Sequence, residues 1–395
     1  MQKVLSIVIP THNRYRYAKF SLLSILELNL DIELVISDTS DDYELGEFID
    51  NLDLSKYPSS KLIYHYNKRA YDMTGNHNKA LSLATGEFVC LIGDDDSVSA
   101  FVLDACAWMN KNNVNVLSQL TSANYIWPDF KTKFFGDAHA GRLYIDKTLS
   151  KLDKLDSKVA FNQAMARSAQ GTDGLPKLYH GIVRRSLLQE IHNNSGKFVH
   201  GSSPDFSAAI ALAAITDSFY QTTFPITIPG ASGGSNTGRS ALNKHKGSLE
   251  SESQTKNDKG SWEKEIPPFF SVETVWADAC FKSLDSMAVS YKEKFDFIGF
   301  YALLLVNHPD YKDVVLKSFN SYFNEKGFNS CKAYSLLFFN TTKILISKIF
   351  RILIRLLNPS PSKGKFFFSN LVTVQFAPAK LSEYINSKKI RNIFR

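Results

Sequence analysis

Three consecutive carboxylates, Asp94, Asp95 and Asp96, follow the apolar run Phe88-Val-Cys-Leu-Ile92 and Gly93. Like charges this close raise one another's pKa, and a divalent cation with a preference for oxygen relieves the repulsion. The cluster is therefore a candidate cation site, with a bound diphosphate able to supply the ion's other ligands. The bland alternative is an acidic turn that caps a helix starting near Val98.

Two further segments must position such a site. Val4-Leu-Ser-Ile-Val-Ile-Pro10 is a buried-strand pattern that stops at a proline and then offers Thr11, His12, Asn13 and Arg14. Glu33-Leu-Val-Ile-Ser-Asp38 is a second strand that ends in a carboxylate. Helical segments around Tyr17 to Leu28 and Asn76 to Ala84 alternate with these strands, which predicts a parallel, doubly wound α/β sheet of Rossmann-like type. Ligands of such sheets bind beyond the carboxyl ends of the strands, where Thr11, Asn13, Asp38 and Asp94 to Asp96 would converge. Asp38 could accept from the imide N–H of a uracil, and Thr11 and Asn13 offer donors to base and ribose.

With these residues in place the chain resembles the inverting glycosyltransferases of family 2, which have the GT-A fold. The resemblance rests on Ser6-Ile-Val-Ile-Pro-Thr-His-Asn-Arg14, Glu33-Leu-Val-Ile-Ser-Asp38, Asn78-Lys-Ala-Leu-Ser-Leu-Ala-Thr-Gly-Glu87 and the triple aspartate. It covers about the first 110 residues well and the next 130 loosely. It implies a nucleotide-sugar site made by Pro10, Thr11, Asn13, Arg14, Asp38, Asn78, Asp94 and Asp95, and a Mn²⁺ or Mg²⁺ ion held by Asp96. Two departures stand out. The family spacing is Asp-x-Asp, whose first position aligns with Gly93, so the paired acids are Asp94 and Asp96 or Asp95 and Asp96. The family's Ala-Arg-Asn segment reads Asn76-His77-Asn78, which puts a pH-dependent charge where a basic side chain could face phosphates.

Residues 1–110 then form the nucleotide-sugar half and 111–245 the acceptor half. In the latter, His180-Gly-Ile-Val-Arg-Arg-Ser-Leu-Leu188 reads as a strand running into a helix and resembles the family's acceptor-lining strand. Asp205 sits in the first turn of an Ala-rich helix, just after Pro204, where a capping role is the bland reading. The resemblance assigns Asp205 as the catalytic base. Inverting transfer needs one base, because the acceptor hydroxyl attacks the anomeric carbon opposite the departing diphosphate. The loop Gly230 to Lys246 is rich in Gly and Ser and could close over a diphosphate while Arg239, Lys244 or His245 reaches the phosphates. His245 is the candidate to complete the metal shell, as a late His does in many GT-A enzymes. Residues 246–262 read as a mobile loop or linker, and 263–330 as a helical region whose Trp276, Phe281, Leu284, Met287 and Tyr291 recur at core-packing spacing.

The net charge of +7 is unevenly placed. Residues 331–395 hold twelve Lys or Arg against one acid, Glu383, a formal +11 that leaves −4 for the first 330. In Thr342 to Leu357, Lys343, Ser347, Lys348, Arg351 and Arg355 recur every three or four residues among Ile, Leu and Phe. Too charged to span a bilayer and too apolar for a free surface helix, this segment is expected to lie in the plane of an anionic inner leaflet. Lys363, Lys365, Lys388, Lys389, Arg391 and Arg395 add attraction. A helix docked on the protein or in a homo-oligomer interface is the alternative. Nucleic acid is not expected, since no exposed aromatics interleave with the charge. Cys90, Cys106, Cys280 and Cys331 show no paired spacing and read as reduced core thiols. No apolar leader segment precedes the first strand, which predicts a cytoplasmic, peripheral protein.

The expectation is a metal-dependent GT-A glycosyltransferase with a helical C-terminal extension. It would move sugar from a nucleotide-diphosphate donor, UDP first among them, to a glycan or lipid-linked glycan of a surface polysaccharide. A nucleotidyltransferase is disfavoured because Pro10-Thr-His-Asn-Arg14 lacks a Gly-rich loop and Lys. A non-catalytic glycan-binding protein of this fold is disfavoured by the intact acids.

Overall fold

The computed structural model describes residues 3–242, 245–252, 255, 260–357, 362 and 364–395. Its centre is an eight-stranded sheet. Four strands, β1 (Leu5–Thr11), β2 (Glu33–Asp38), β3 (Lys61–Tyr66) and β4 (Phe88–Leu91), run parallel in the order β3-β2-β1-β4. Between them lie α1 (Tyr15–Leu26), α2 (Glu44–Asp50) and α3 (Met73–Leu83). Helix α3 begins three residues before the expected Asn76, because the Asp72 side chain accepts from Gly75 N and caps it.

The sheet is wholly parallel only in this half. Beyond β4 come Gly181–Arg184, antiparallel to both neighbours, then Val116–Gln119, Ser218–Thr222 and Leu152–Asp156. The expected mostly parallel sheet is thus a mixed one beyond β4. Because strand order reverses at β1, the ends of β1 and β4 bound the crevice where ligands collect in such sheets.

Every residue of β1 and β2 is buried, since helices cover both faces. Side-chain alternation sorts them into two cores. Val8, Val35, Val89 and Leu91 share one core with Ala80 and Leu81 of α3, which packs on β1 and β2, and with the helices Pro204–Ile215, Val272–Ser286, Phe297–Asn307 and Lys312–Glu325. Ile7, Ile9, Leu34, Ile36, Phe88 and Cys90 face α1 and the helix Val102–Lys111. The Phe281, Leu284 and Tyr291 stripe belongs to the first core, as its spacing predicted. Cys90, Cys106 and Cys280 are buried, whereas Cys331 is exposed; all four are free thiols.

At the opposite, amino end of these strands, Glu33 is fully buried and accepts from Ser6 Oγ (2.6 Å), Thr85 N (2.7 Å), Thr85 Oγ1 (2.7 Å) and Lys61 Nζ (3.1 Å). These donors hold its carboxyl below the usual range against the cost of burial. This end of the sheet is structural.

The segment 331–395, expected as one tail, divides in two. The helix Ser330–Leu357 packs beside Phe297–Asn307. Phe366–Phe368 then returns to pair antiparallel with Arg142–Ile145 in a four-stranded second sheet. Leu371, Val374, Ala377, Leu381, Ile385 and Phe394 complete the second core, with Ala377–Ser387 as its outer helix.

Candidate functional site

Thr11 closes β1 and its hydroxyl donates to Asp94 Oδ2 (2.6 Å). Arg14, at the start of α1, lies between two of the acids. Its Nε donates to Asp94 Oδ1 (2.6 Å), and its Nη2 lies 2.9 Å from Asp95 Oδ2 and donates to Ser232 Oγ (3.0 Å). Ser232 Oγ in turn donates to Asp95 Oδ2 (2.6 Å). Burial and mutual repulsion push both carboxyls up, while the guanidinium pulls them down. Despite its burial, Arg14 is held above its usual range by the two acids.

Asp96, expected to hold the metal, is fixed by three hydrogen bonds. Its Oδ1 accepts from Gly230 N (2.6 Å), and its Oδ2 from Gly93 N (2.6 Å) and Tyr179 OH (2.9 Å). His180 Nε2 lies 3.3 Å from the same Oδ2. With its oxygens occupied and its carboxyl 1% exposed, Asp96 ties the acidic turn to two later segments. Burial raises its pKa to about 6. A Cβ at Gly93 would sit 2.7 Å from Tyr179 OH and 3.0 Å from Asp96 Oδ2, which explains glycine at the family's first acidic position.

Other expected ligands serve to fix loops. Asn13, at φ 55°, accepts from Asp41 N through Oδ1 (2.8 Å) and donates its own N–H to Ser40 Oγ (2.8 Å), joining the ends of β1 and β2. Asp38 is buried and accepts from Ser40 N (2.8 Å) and Tyr64 OH (2.9 Å). Pro10 is buried within β1, opposite Ser37. Asn78 donates to Thr74 O and Val199 O and accepts from Phe198 N and Val199 N, so it clamps α3 to the loop before Asp205. Asn76 bridges Thr11 O and Ser37 O.

Asp205 arrives on the helix Pro204–Ile215, and its Oδ1 accepts from Ser203 Oγ (2.6 Å). Its negative charge is felt by His77, Tyr179 and His180, and that of Asp94 also by His77, so Asp205 shares one neighbourhood with the acidic turn. His77 lies 2.7 Å from Met73 O through Nδ1, and burial holds its pKa below the usual range. Burial thus disfavours the charged form of the ring whose charge was expected to depend on pH.

His245 is not brought to the acids. Its Nδ1 lies 3.1 Å from Ser240 Oγ, its ring packs edge-on against Phe270, and the charges acting on it are Arg239, Glu252 and Glu273. Arg239 is engaged by both oxygens of Glu252 (2.8 and 2.9 Å). Lys244 lies outside the described residues, as does Lys363 in the basic segment.

A cleft of about 750 Å³ opens beside Arg14, lined also by Asn13, Asp41, Asp42, Asp129 and Gly234. Asp129 accepts from Tyr17 OH (2.5 Å) and pairs with Arg16. A second cleft of about 580 Å³ involves Glu87 and Arg184 and lies beside the amino end of β4, away from the acidic turn. Among the described residues no group of three His, Cys, Asp or Glu side chains could hold a metal ion unaided. Asp95 Oδ1 receives no hydrogen bond from them, which leaves one carboxylate oxygen for a cation whose other ligands come from a diphosphate. The residues fit a divalent ion in that shared sense.

Tyr179, His180, Ser232 and Gly230 had no assigned role in the sequence. Ser232 and Gly230 were marked only by the Gly/Ser-rich loop that contains them, and nothing local marks Tyr179.

Residues 6–169 match the family model described as Glycosyl transferase family 2. Over 96 residues the chain is 29% identical to the GalNAc(5)-diNAcBac-PP-undecaprenol beta-1,3-glucosyltransferase of Campylobacter jejuni, covering 24% of this chain and 30% of that protein's length. Among solved structures, S. aureus TarS is 18% identical with a TM-score of 0.38, over 59% of this chain and 37% of that one. A shorter TarS form in complex with UDP-GlcNAc is 15% identical with a TM-score of 0.41, over 84% of this chain and 93% of that one. The family match spans β1 through β4 with the acidic turn that follows them, so over residues 6–169 the chain is similar to glycosyl transferase family 2.

Proposed function

We propose that this protein is an inverting glycosyltransferase that uses a divalent metal, Mn²⁺ or Mg²⁺, and a nucleotide-diphosphate sugar, UDP-linked first among them. The acceptor is a glycan, in our reading one carried on lipid at the cytoplasmic face of the membrane, in surface polysaccharide synthesis. The observation that carries this reading is the Asp94–Asp95 pair, held beyond the ends of β1 and β4 by Thr11 and Arg14, with the charges of both Asp94 and Asp205 acting on His77. The bound ion would neutralise charge on the leaving diphosphate.

The chain's own residues divide the remaining work. Asp95, through Oδ1, and Asp94 face the donor, with Thr11 and Ser232 fixing their rotamers. Arg14 supplies a permanent positive charge beside them. Asp205 accepts the proton of the attacking hydroxyl, and Ser203 orients its carboxylate. The charge of Asp205 acts on His77 and Tyr179, and burial disfavours the charged form of each.

Asp205→Asn should bind UDP as the parent does yet transfer sugar about 10²–10⁴-fold more slowly, the usual scale of general-base catalysis. Asp95→Asn should lose metal-dependent UDP binding by calorimetry. Unchanged binding in Asp95→Asn, with unchanged transfer in Asp205→Asn, would remove the assignment.

A further inference from the structure

An amphipathic helix on a globular protein normally turns its apolar face inward. The helix Ser330–Leu357 does the reverse over most of its length. Only Ala333 and Leu337 are buried, whereas Phe338, Phe339, Ile346, Phe350 and Leu357 are between 63% and 80% exposed. Leu345, Ile349, Ile352, Leu353, Ile354 and Leu356 are also exposed.

The helical repeat sorts these residues. At 100° per residue, Ala333, Leu337, Lys348, Arg351 and Arg355 share one side, and Phe338, Ile346, Ile349, Leu353 and Leu357 fall on the opposite arc. Contacts agree with that sorting. Lys348 Nζ donates to Asn307 Oδ1 (3.3 Å), and the Arg355 guanidinium lies over the Phe135 ring at 4.7 Å. Lys348 and Arg355 thus lean on the protein, Arg351 stays exposed between them, and the apolar arc faces away from it.

Both flanks of the helix are held. Before it, Lys312–Glu325 packs in the first core, and after it Phe366–Phe368 is a paired strand of the second sheet. The apolar arc is therefore a fixed surface rather than the face of a loose arm. At about 1.5 Å per residue the helix is roughly 42 Å long. No helix among the described residues is long and apolar enough to cross a membrane.

We propose that this arc inserts in the plane of a bilayer bearing anionic lipid. Charge selects this occupant. The arc is bordered by Lys332 and Lys343 and lies in a segment of formal charge +11, which attracts an anionic surface and repels the same face of a second copy. The inference deepens the lipid-linked acceptor reading, because it places the catalytic domain beside such an acceptor. Its test needs neither donor nor acceptor, so it can fail while nucleotide binding stands, and the reverse.

The experiment is flotation of the full chain with vesicles of phosphatidylcholine, alone or with phosphatidylglycerol. The parent should float only with the anionic vesicles, and less as salt rises. Ile346→Glu combined with Phe350→Glu should weaken partitioning at least ~10-fold, since each change removes apolar insertion and adds repulsion. Melting temperature and UDP binding should be unchanged, because both side chains are already exposed. Failure of the parent to float, or undiminished flotation of the variant, would overturn the proposal. So would a dimer in sedimentation velocity that the same substitutions dissociate, which would make a second copy the occupant.

Discussion

Arg14 is the residue on which the acidic turn depends. Two carboxylates that are each 7% exposed in their side chains share its guanidinium, and removal of one partner from a buried pair costs about 3–5 kcal/mol. Arg14→Met should therefore lower stability by that order at pH 7, measured by urea unfolding. The sign with pH follows from the acids left behind. Without the cation their folded pKa values rise further, so the folded state binds protons that the unfolded chain does not. Stability is then regained as pH falls through the raised values, and the deficit of the variant should shrink between pH 7 and pH 5. Added Mn²⁺ should also reduce it. The triple aspartate and Thr11 were legible in the sequence because residue types at strand ends carry their own chemistry. The division of labour among the three acids was not. It depends on the turn at Gly93, which aims Asp96 at Gly230 N and Tyr179, residues more than 80 positions away.

At the scale of elements, the strand Gly181–Arg184 is preceded by a residue whose backbone and ring are both constrained. His180 has φ 58°, its Nδ1 lies 3.1 Å from Thr227 Oγ1, and burial pushes its pKa down to about 3. In the unfolded chain the ring takes up a proton near 6.5, and in the fold it resists until about 3. It therefore removes stability as pH falls from 6.5 towards 3, at up to about 1.4 kcal/mol per pH unit. His180→Asn tolerates the left-handed backbone and should flatten that part of the pH profile of the melting temperature. An unchanged acid slope would place the proton uptake elsewhere.

Elements differed in how openly the sequence declared them. β1, β2 and β4 are buried on both faces and read as apolar runs, while β3 is an edge strand whose Lys61-Leu-Ile-Tyr-His-Tyr66 is only half-buried and carries no such signature. The helix that presents Asp205 was visible from Pro204 and the alanines. The pairing of Phe366–Phe368 was not, because a strand's partner is set by what the rest of the fold leaves open.

For the whole molecule, the C-terminal residues are part of the core rather than an appendage. Leu371, Val374, Ala377 and Leu381 belong to the same apolar core as Ile7 and Ile9, with Val374–Phe376 packed on α1, and Tyr125 OH donates to Leu371 O (2.8 Å). A chain ending at Asn329 would lose these contacts along with the exposed helix. It should show a melting temperature many degrees lower, or no cooperative transition, in differential scanning calorimetry. A truncated form that melts like the parent would show the second core to be complete without them. The uneven charge announced in the sequence that this region was special. Which part of it joins the core could not be seen there, since apolar residues at helical spacing look alike whether they meet a sheet or face away from one.

The late closure of that core bears on how the protein is made. Leu5 leaves the ribosome long before Phe394, yet both belong to one apolar cluster. Throughout synthesis of the intervening segment, Leu143 and Ile145 have no Phe366–Phe368 strand beside them and the outer face of the sheet lacks its last helix. A nascent chain stalled in between would expose an unpaired strand edge and an uncovered apolar face, the features by which partly made proteins aggregate or recruit chaperones.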